Sequence, residues 1–155
     1  MTRRETYLSV LTEADLTGVE LVELETNLTF WGEENYRKFL LKCPEYFGAK
    51  AVVLVEPGKW EVGGFHLSRA VYENLEILKI GVLRRHQRSG IGSHLLEAAY
   101  AEGIRRGCSR CFLEVRKSNE AAIQFYLRHR FRFTGSRQRY YHDPVEDAWV
   151  MERAL

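Results

Sequence analysis

Along the chain the spacing of apolar positions changes repeatedly, and each change marks a new element of secondary structure. Leu16, Val19, Val22 and Leu24 recur at roughly helical intervals behind Thr12-x-x-Asp15, a capping-box spacing, and predict a first helix from about residue 13 to the high twenties. A second, short helix opens at Gly32-Glu33-Glu34, carries Tyr36, Phe39 and Leu40 on one face, and stops before Pro44. The period then falls to two. Ala51 to Glu56, the turn Pro57-Gly58, and Trp60 to Ser68 with Val62, Phe65 and Leu67 predict a β-hairpin, and Leu75 to Leu83 a third, largely apolar strand.

Helical spacing returns between Gly90 and Gly107, where Ile91, Leu95, Leu96, Ala99, Tyr100 and Ile104 form one stripe that stops at Arg106-Gly107. Cys111 to Val115 is a further strand, with Cys111, Leu113 and Val115 on one face and Phe112, Glu114 and Arg116 on the other. Ser118 or Asn119 caps a helix containing Ala121, Ala122, Ile123, Phe125, Tyr126 and Leu127, and strands follow at Phe131 to Ser136 and Asp147 to Glu152. No repeat or flexible linker interrupts this order. The expectation is one domain over residues 1–155, of mixed α/β class, with a central, mostly antiparallel sheet of about six or seven strands flanked by about four helices.

Composition fits that picture: 155 residues, 45% of them hydrophobic and 28% charged, bury a core without needing disulfides or a structural metal. Met1 to Glu5 lead into no apolar signal region, and the longest aliphatic run, Ala51 to Val55, is far too short to span a bilayer, so a cytoplasmic location without a membrane partner is expected. Cys43, Cys108 and Cys111 form no disulfide framework, and the C-x-x-C of Cys108 and Cys111 lacks the second ligand pair a zinc site requires. His66, His86, His94, His129 and His142 show no ligand spacing either, so no metal is expected, and His86 is read as a surface residue.

The charge is unevenly spread. Residues 1–78 hold 8 Lys/Arg against 13 Asp/Glu, a net of −5, and residues 79–155 hold 15 against 8, a net of +7. The basic half should face an anion. A pI near 8.5 and the lack of any RNP, helix-turn-helix or zinc-finger pattern argue against nucleic acid, whereas a small polyphosphate requires fewer charges. Gln87-x-x-Gly90-x-Gly92, between a predicted strand and a predicted helix, is where such a ligand would sit: glycines permit close backbone approach, and the first helical turn presents unpaired N–H groups. Arg84, Arg85 and Arg88 are expected to add positive charge there. Gly92 is followed by Ser93-His94, so the loop is not a Walker A motif, and G-x-G-x-x-G is also absent.

This loop resembles the acetyl-CoA pyrophosphate loop of the GNAT acetyltransferases. Leu113-Glu114-Val115-Arg116, Ser118-Asn119, Ala121-Ala122, Tyr126 and Tyr140-Tyr141, in that order, further resemble the bacterial ribosomal-protein-alanine N-acetyltransferase (RimI) family. The likeness runs from about Leu75 to Met151, with an echo at Glu23 and Trp31. It implies a GNAT fold and an enzyme that moves acetyl from acetyl-CoA to the α-amine of a protein N-terminus, the alanine of a ribosomal protein. It further implies that Ile80, Gly81 and Val82 present backbone groups to the acetyl and pantetheine portion. Arg88, Ser89, Gly90, Ile91, Gly92 and Ser93 would hold the pyrophosphate, Asn119 would be another CoA contact, Glu114 the proton acceptor and Tyr126 the proton donor. Three residues depart from the family pattern: Arg84 stands at a usual Pro, Ser89 at a usual Arg or similar residue, and Arg130 at a common Gly before Phe131.

The roles make chemical sense. An α-amine with a pKa of about 8 is mostly protonated at neutral pH and must lose a proton to attack; a tyrosine with a reference pKa of about 10 can protonate a leaving thiolate. Glu20, Glu23, Glu25, Glu33 and Glu34 around the first two helices would suit a basic ribosomal tail. The residues leave open a small-molecule amine or lysine as acceptor, a non-catalytic CoA-binding module and, third, an RNA-binding protein.

Overall fold

The computed structural model describes residues 4–26 and 28–155. In chain order the elements are β1 (Thr6–Val10), α1 (Leu16–Thr26), α2 (Gly32–Lys42), β2 (Tyr46–Glu56), β3 (Lys59–Val71), β4 (Asn74–Val82), α3 (Ile91–Arg105), β5 (Arg110–Arg116), α4 (Glu120–Arg128), β6 (Arg132–His142) and β7 (Val145–Ala154). Thr12 caps a 3-10 turn, Glu13–Asp15, that leads into α1, its amide and hydroxyl both donating to Asp15 Oδ2 at 2.8 Å. The strands form one seven-stranded sheet in the order β1-β2-β3-β4-β5-β7-β6, antiparallel throughout except for β4 beside β5. The expected class, sheet and four helices are the ones found.

Strand β2 begins at Tyr46, five residues before the expected Ala51, and the two sheet edges also differ from expectation. Strand β1 was not foreseen: Tyr7, Leu8 and Val10 are all exposed, so its sequence carries no inside–outside alternation. Strand β6 continues to His142 rather than ending near Ser136, through residues that are almost all exposed. Inner strands show the alternation clearly, as in β5, where Cys111, Leu113 and Val115 are buried.

Helices α3 and α4 cover one face of the sheet, where Leu75, Ile77, Leu96, Leu113, Tyr126 and Phe131 share one core. Helices α1 and α2 cover the other through Leu16, Val19, Val22, Tyr36, Phe65 and Leu67. Each fully buried leucine here contributes about 2 kcal/mol by leaving water. Two members of the expected stripes lie outside: Leu24 and Ile104 are exposed, and Glu23 and Gly103 are buried instead. At Gly103 the reason is close packing, since a Cβ there would lie 2.8 Å from Leu75 Cδ2.

The feature that shapes the site is a break between β4 and β5. Pairing of β3 with β4 steps from Leu67↔Lys79 to Ser68↔Ile77, leaving Leu78 as an extra residue in β4. A bulge bends its strand and sharpens its twist. Beside it, the parallel pairing of β4 with β5 lasts only from Asn74↔Arg110 to Glu76↔Phe112. Beyond Glu76 and Phe112 the two strands diverge in the middle of the sheet.

Candidate active site

The divergence leaves main-chain groups of β4 without a ladder. Leu83 donates its N–H to Gly63 O at 2.9 Å, and antiparallel pairs alternate in bonding, so Gly81 and Lys79 turn toward β3. Ile80 and Val82 then direct their N–H and C=O groups to the opposite side, toward the space β5 has left. The Val82 carbonyl uses that freedom to accept from Gln87 Nε2 at 2.9 Å. Gly81 sits beneath the connection between α1 and α2, where a Cβ would come within 2.9 Å of both Leu28 and Val22.

At the open end of β4 the chain makes a 3-10 turn over Arg84–His86 and enters α3 at Ile91. Arg88 and Gly90 both have left-handed backbone, φ 61° and 91°, and these curl the loop toward the helix start. His94 is the first residue of α3 whose amide finds a main-chain partner, Gly90 O at 3.1 Å, so the amides at Ile91, Gly92 and Ser93 precede the intrahelical ladder. Ile91 points its side chain into the core, and Ser89 Oγ donates to His86 O at 2.5 Å; what both offer a ligand is backbone. Ser93 Oγ lies 3.0 Å from His129 Nε2, tying this helix start to the end of α4.

Two expectations about this loop are corrected. Arg85 does not lend its charge to an anion there: its guanidinium is fixed on both Glu61 oxygens at 2.9 Å and on Glu25 at 3.1 Å. His86 is buried rather than on the surface, with Nε2 2.6 Å from Glu61 Oε1. Arg85, helped by His86, holds the Glu61 carboxyl at about 2. These contacts buttress the loop from behind and leave Arg84 and Arg88, both exposed, as the arginines of the loop free of an acidic partner among the described residues.

Glu114 stands two residues beyond the last β4–β5 pair, on the face opposite Leu113 and Val115. Its side chain is only 9% exposed and bonds Arg137 Nε at 2.9 Å. Burial, then repulsion from Glu76, push its pKa above the usual carboxylate range, against the pull of Arg137 and Arg69. Tyr126 comes from α4 on the other face of β5, with its ring in edge contact with Phe125 and Phe131. Burial raises its pKa. The ring is core, and among the described residues its hydroxyl makes no hydrogen bond. Asn119 Oδ1 accepts from Ala122 N at 3.1 Å and caps α4, which leaves its amide nitrogen to reach outward.

On the α1–α2 side of β4, Glu23, Trp31 and Tyr36 gather around a residue that sequence reasoning passed over, Lys79. Lys79, buried in β4, donates to Glu23 of α1 and to the Thr29 carbonyl. Tyr36 Oη donates to the same Glu23 carboxylate at 2.6 Å, and the Trp31 ring lies 4.6 Å from the Lys79 ammonium. Burial pushes the lysine down to about 8. The signal was a lone lysine in an otherwise apolar strand. The acidic helices do not present the five free carboxylates expected for a basic tail: Glu23 is buried, Glu25 holds Arg85, Glu33 holds Arg37, and Glu20 accepts from the Glu33 amide. Among the described residues there is no cluster of metal ligands, and no helix is long and apolar enough to cross a membrane.

Residues 18–131 match the model of the acetyltransferase (GNAT) family. The ribosomal protein bS18-alanine N-acetyltransferase of Escherichia coli is 30% identical over 146 residues, spanning 93% of this chain and 94% of that protein. An N-alpha-acetyltransferase of Sulfurisphaera tokodaii is 30% identical over 155 residues, 92% of this chain and 90% of its own. The crystal structure of the E. coli ribosomal-protein-S18-alanine N-acetyltransferase superposes with a TM-score of 0.81 at 27% identity, over 97% of this chain and 94% of that one. Arabidopsis thaliana NAA60 in complex with acetyl-CoA, at 18% identity and a TM-score of 0.83 over 97% and 99% of the two chains, shares the fold. With its split sheet, its glycine loop and these relatives together, the chain belongs to the GNAT family of acetyltransferases.

Proposed function

We propose that this protein transfers acetyl from acetyl-CoA to the α-amine of a protein N-terminus, and that its acceptor is a ribosomal protein beginning with alanine. The observation that carries the chemistry is the buried carboxylate of Glu114 beside a gap between β4 and β5 whose Ile80 and Val82 main-chain groups have no strand partner. The alanine acceptor rests on the relatives that share 30% identity over 93% of the chain and are named for it.

The residues present fit acetyl-CoA. The amides at the start of α3, with Arg88, Ser89, Gly90, Ile91, Gly92 and Ser93 around them, would take the pyrophosphate, and the outward-facing groups of Ile80 and Val82 beside Gly81 would take the pantetheine and acetyl portion. Asn119 Nδ2 would add a contact. Bound there, acetyl-CoA supplies an activated acyl carbon and a thiolate leaving group. Glu114 receives the proton of the acceptor ammonium, directly or through water. The Ile80 or Val82 N–H would stabilise negative charge on the acyl oxygen as the N–C bond forms; as the C–S bond breaks, Tyr126, on the far face of β5, would give its proton to the sulfur and regain one from the nitrogen, which sheds its second proton in becoming an amide. The two titrating groups flank the gap from opposite faces of the sheet, so no covalent acyl-enzyme is needed.

Mass spectrometry tests this on a mixed panel of N-terminal Ala, Ser and Met peptides, blocked lysine peptides and polyamines, incubated with the protein and acetyl-CoA and fragmented to locate each acetyl. Acetyl on the α-amine of Ala-starting ribosomal peptides is the expected result. Acetyl confined to lysine or polyamine would overturn the substrate assignment, and none on any acceptor would overturn the catalytic one.

A further inference from the structure

Glu114 is a base only if it reaches the reaction without a proton, and its surroundings press the other way. It is nearly buried, and Glu76 of β4 is the largest charge acting to keep it protonated. Arg69 of β3 acts favourably but is itself bonded to Glu76, and the Tyr140 and Tyr141 hydroxyls of β6 stand nearby without charge. The cation bonded to Glu114 itself is Arg137, 2.9 Å away and 56% exposed.

Arg137 owes its position to a break in the β6–β7 hairpin. Pairing passes from Arg137↔Ala148 directly to Tyr141↔Glu146, so Gln138, Arg139 and Tyr140 stand opposite Asp147 alone. Asp147 Oδ1 accepts from the Arg139 amide at 2.9 Å, Arg139 has φ 51°, and the loop is thereby held. The guanidinium of Arg137 lies 5.7 Å from the centre of the Tyr140 ring at the start of this irregular stretch. A fixed edge thus delivers one arginine to the carboxylate at the mouth of the gap.

We propose that Arg137 is a positioning residue that keeps Glu114 ionised and aimed across the gap between β4 and β5, so that the carboxylate can accept the proton of the acceptor amine. The inference rests on the reading of Glu114 as the base. Without the guanidinium, burial and Glu76 act on Glu114 with only Arg69 opposing them, and more of the carboxyl holds its proton at neutral pH.

Titration of the side-chain carboxyl carbons in protein labelled with 13C-glutamate tests this directly, with the Glu114 signal assigned by its loss in Glu114→Gln. Its midpoint is expected to rise by about one unit in Arg137→Met and in Arg137→Gln, and to stay within about 0.3 unit in Arg137→Lys, a shift of one unit being tenfold in ionised fraction. In turnover of the Ala-starting peptide, kcat/KM of Arg137→Met should fall at acidic pH, approaching about tenfold below both carboxyl midpoints, and recover to within about twofold above them, with KM for acetyl-CoA unchanged. An unmoved midpoint, a deficit equal at every pH, or a faster variant overturns the proposal. Full turnover by Glu114→Gln would instead remove the base assignment, while the carboxyl titration would still report whether Arg137 sets its ionisation.

Discussion

Glu114 points from one face of β5 and Tyr126 of α4 packs against the other, and the proposed roles follow from that separation: a nearly buried carboxylate would meet the incoming amine, and a phenol packed against Phe131 would meet the leaving sulfur. Removing the carboxylate as Glu114→Gln is expected to lower kcat/KM for the peptide by roughly 10²–10⁴, the usual range for general-base catalysis, with acetyl-CoA binding kept in calorimetry. Tyr126→Phe should lower kcat in the same way while leaving the melting temperature nearly unchanged, because the hydroxyl lost makes no hydrogen bond among the described residues. A different residue governs stability toward acid. His66 is buried in β3, has Ser68 Oγ 2.9 Å from Nδ1, and is pushed by burial down to about 4 from 6.5. The unfolded chain therefore binds a proton that the folded one refuses between those values; the stability is complete above the unfolded pKa and is lost as pH falls toward about 4. Urea unfolding should show a loss of about 3 kcal/mol across that window, and His66→Gln should flatten it. Glu61 and Glu102, held at about 2 by their arginines, add their losses only at lower pH.

At the level of elements, the ends of helices and strands carry as much of the function as their middles. Helix α3 begins where Arg88 and Gly90 curl the loop, and the chain leaves α4 through Arg130, whose φ of 66° is the left-handed geometry that glycine adopts without strain. Arg130 donates its amide to Leu127 O at 3.0 Å, so the helix terminates as a glycine-ended one would, with a side chain at an unfavourable position. Arg130→Gly is therefore expected to raise stability by about 1 kcal/mol, read as a higher urea midpoint with an unchanged slope. Strand β4 is the counterpart: the extra residue Leu78 puts Leu78 and Lys79 in succession on the α1–α2 side, and pairing with β5 stops one turn of the pleat earlier. A bulge of this kind leaves no mark in an apolar run, which is why the boundaries of β4 were legible but its bend was not. Edge strand β1 and the part of β6 beyond Ser136 were hidden for the opposite reason, since neither face of them is consistently buried.

Across the whole molecule, two helical layers are bound to one sheet, and the buried Glu23–Lys79–Tyr36 cluster is the polar link between the α1–α2 layer and β4. Lys79→Met would strand the Glu23 carboxylate in the core and should cost about 3–5 kcal/mol, whereas the double change Glu23→Gln with Lys79→Met should recover much of it, because the price of a buried charge is steepest when its partner alone is removed. Chemical denaturation of the three proteins checks this. The sequence by itself determined the class of fold, the order of the four helices, the inner strands and the positions of the glycine loop, Glu114 and Tyr126, because each is written in local terms: a period of 3.6 or 2, a cap, or a motif with fixed spacing. Only the tertiary structure decided that β4 and β5 part beyond Glu76 and Phe112, that Arg85 is spent on Glu61 and Glu25, and that Arg137 reaches Glu114 from a strand 23 positions away in the chain. Those are outcomes of strand pairing and charge pairing between distant segments, and neither leaves a periodic trace in the residues that take part.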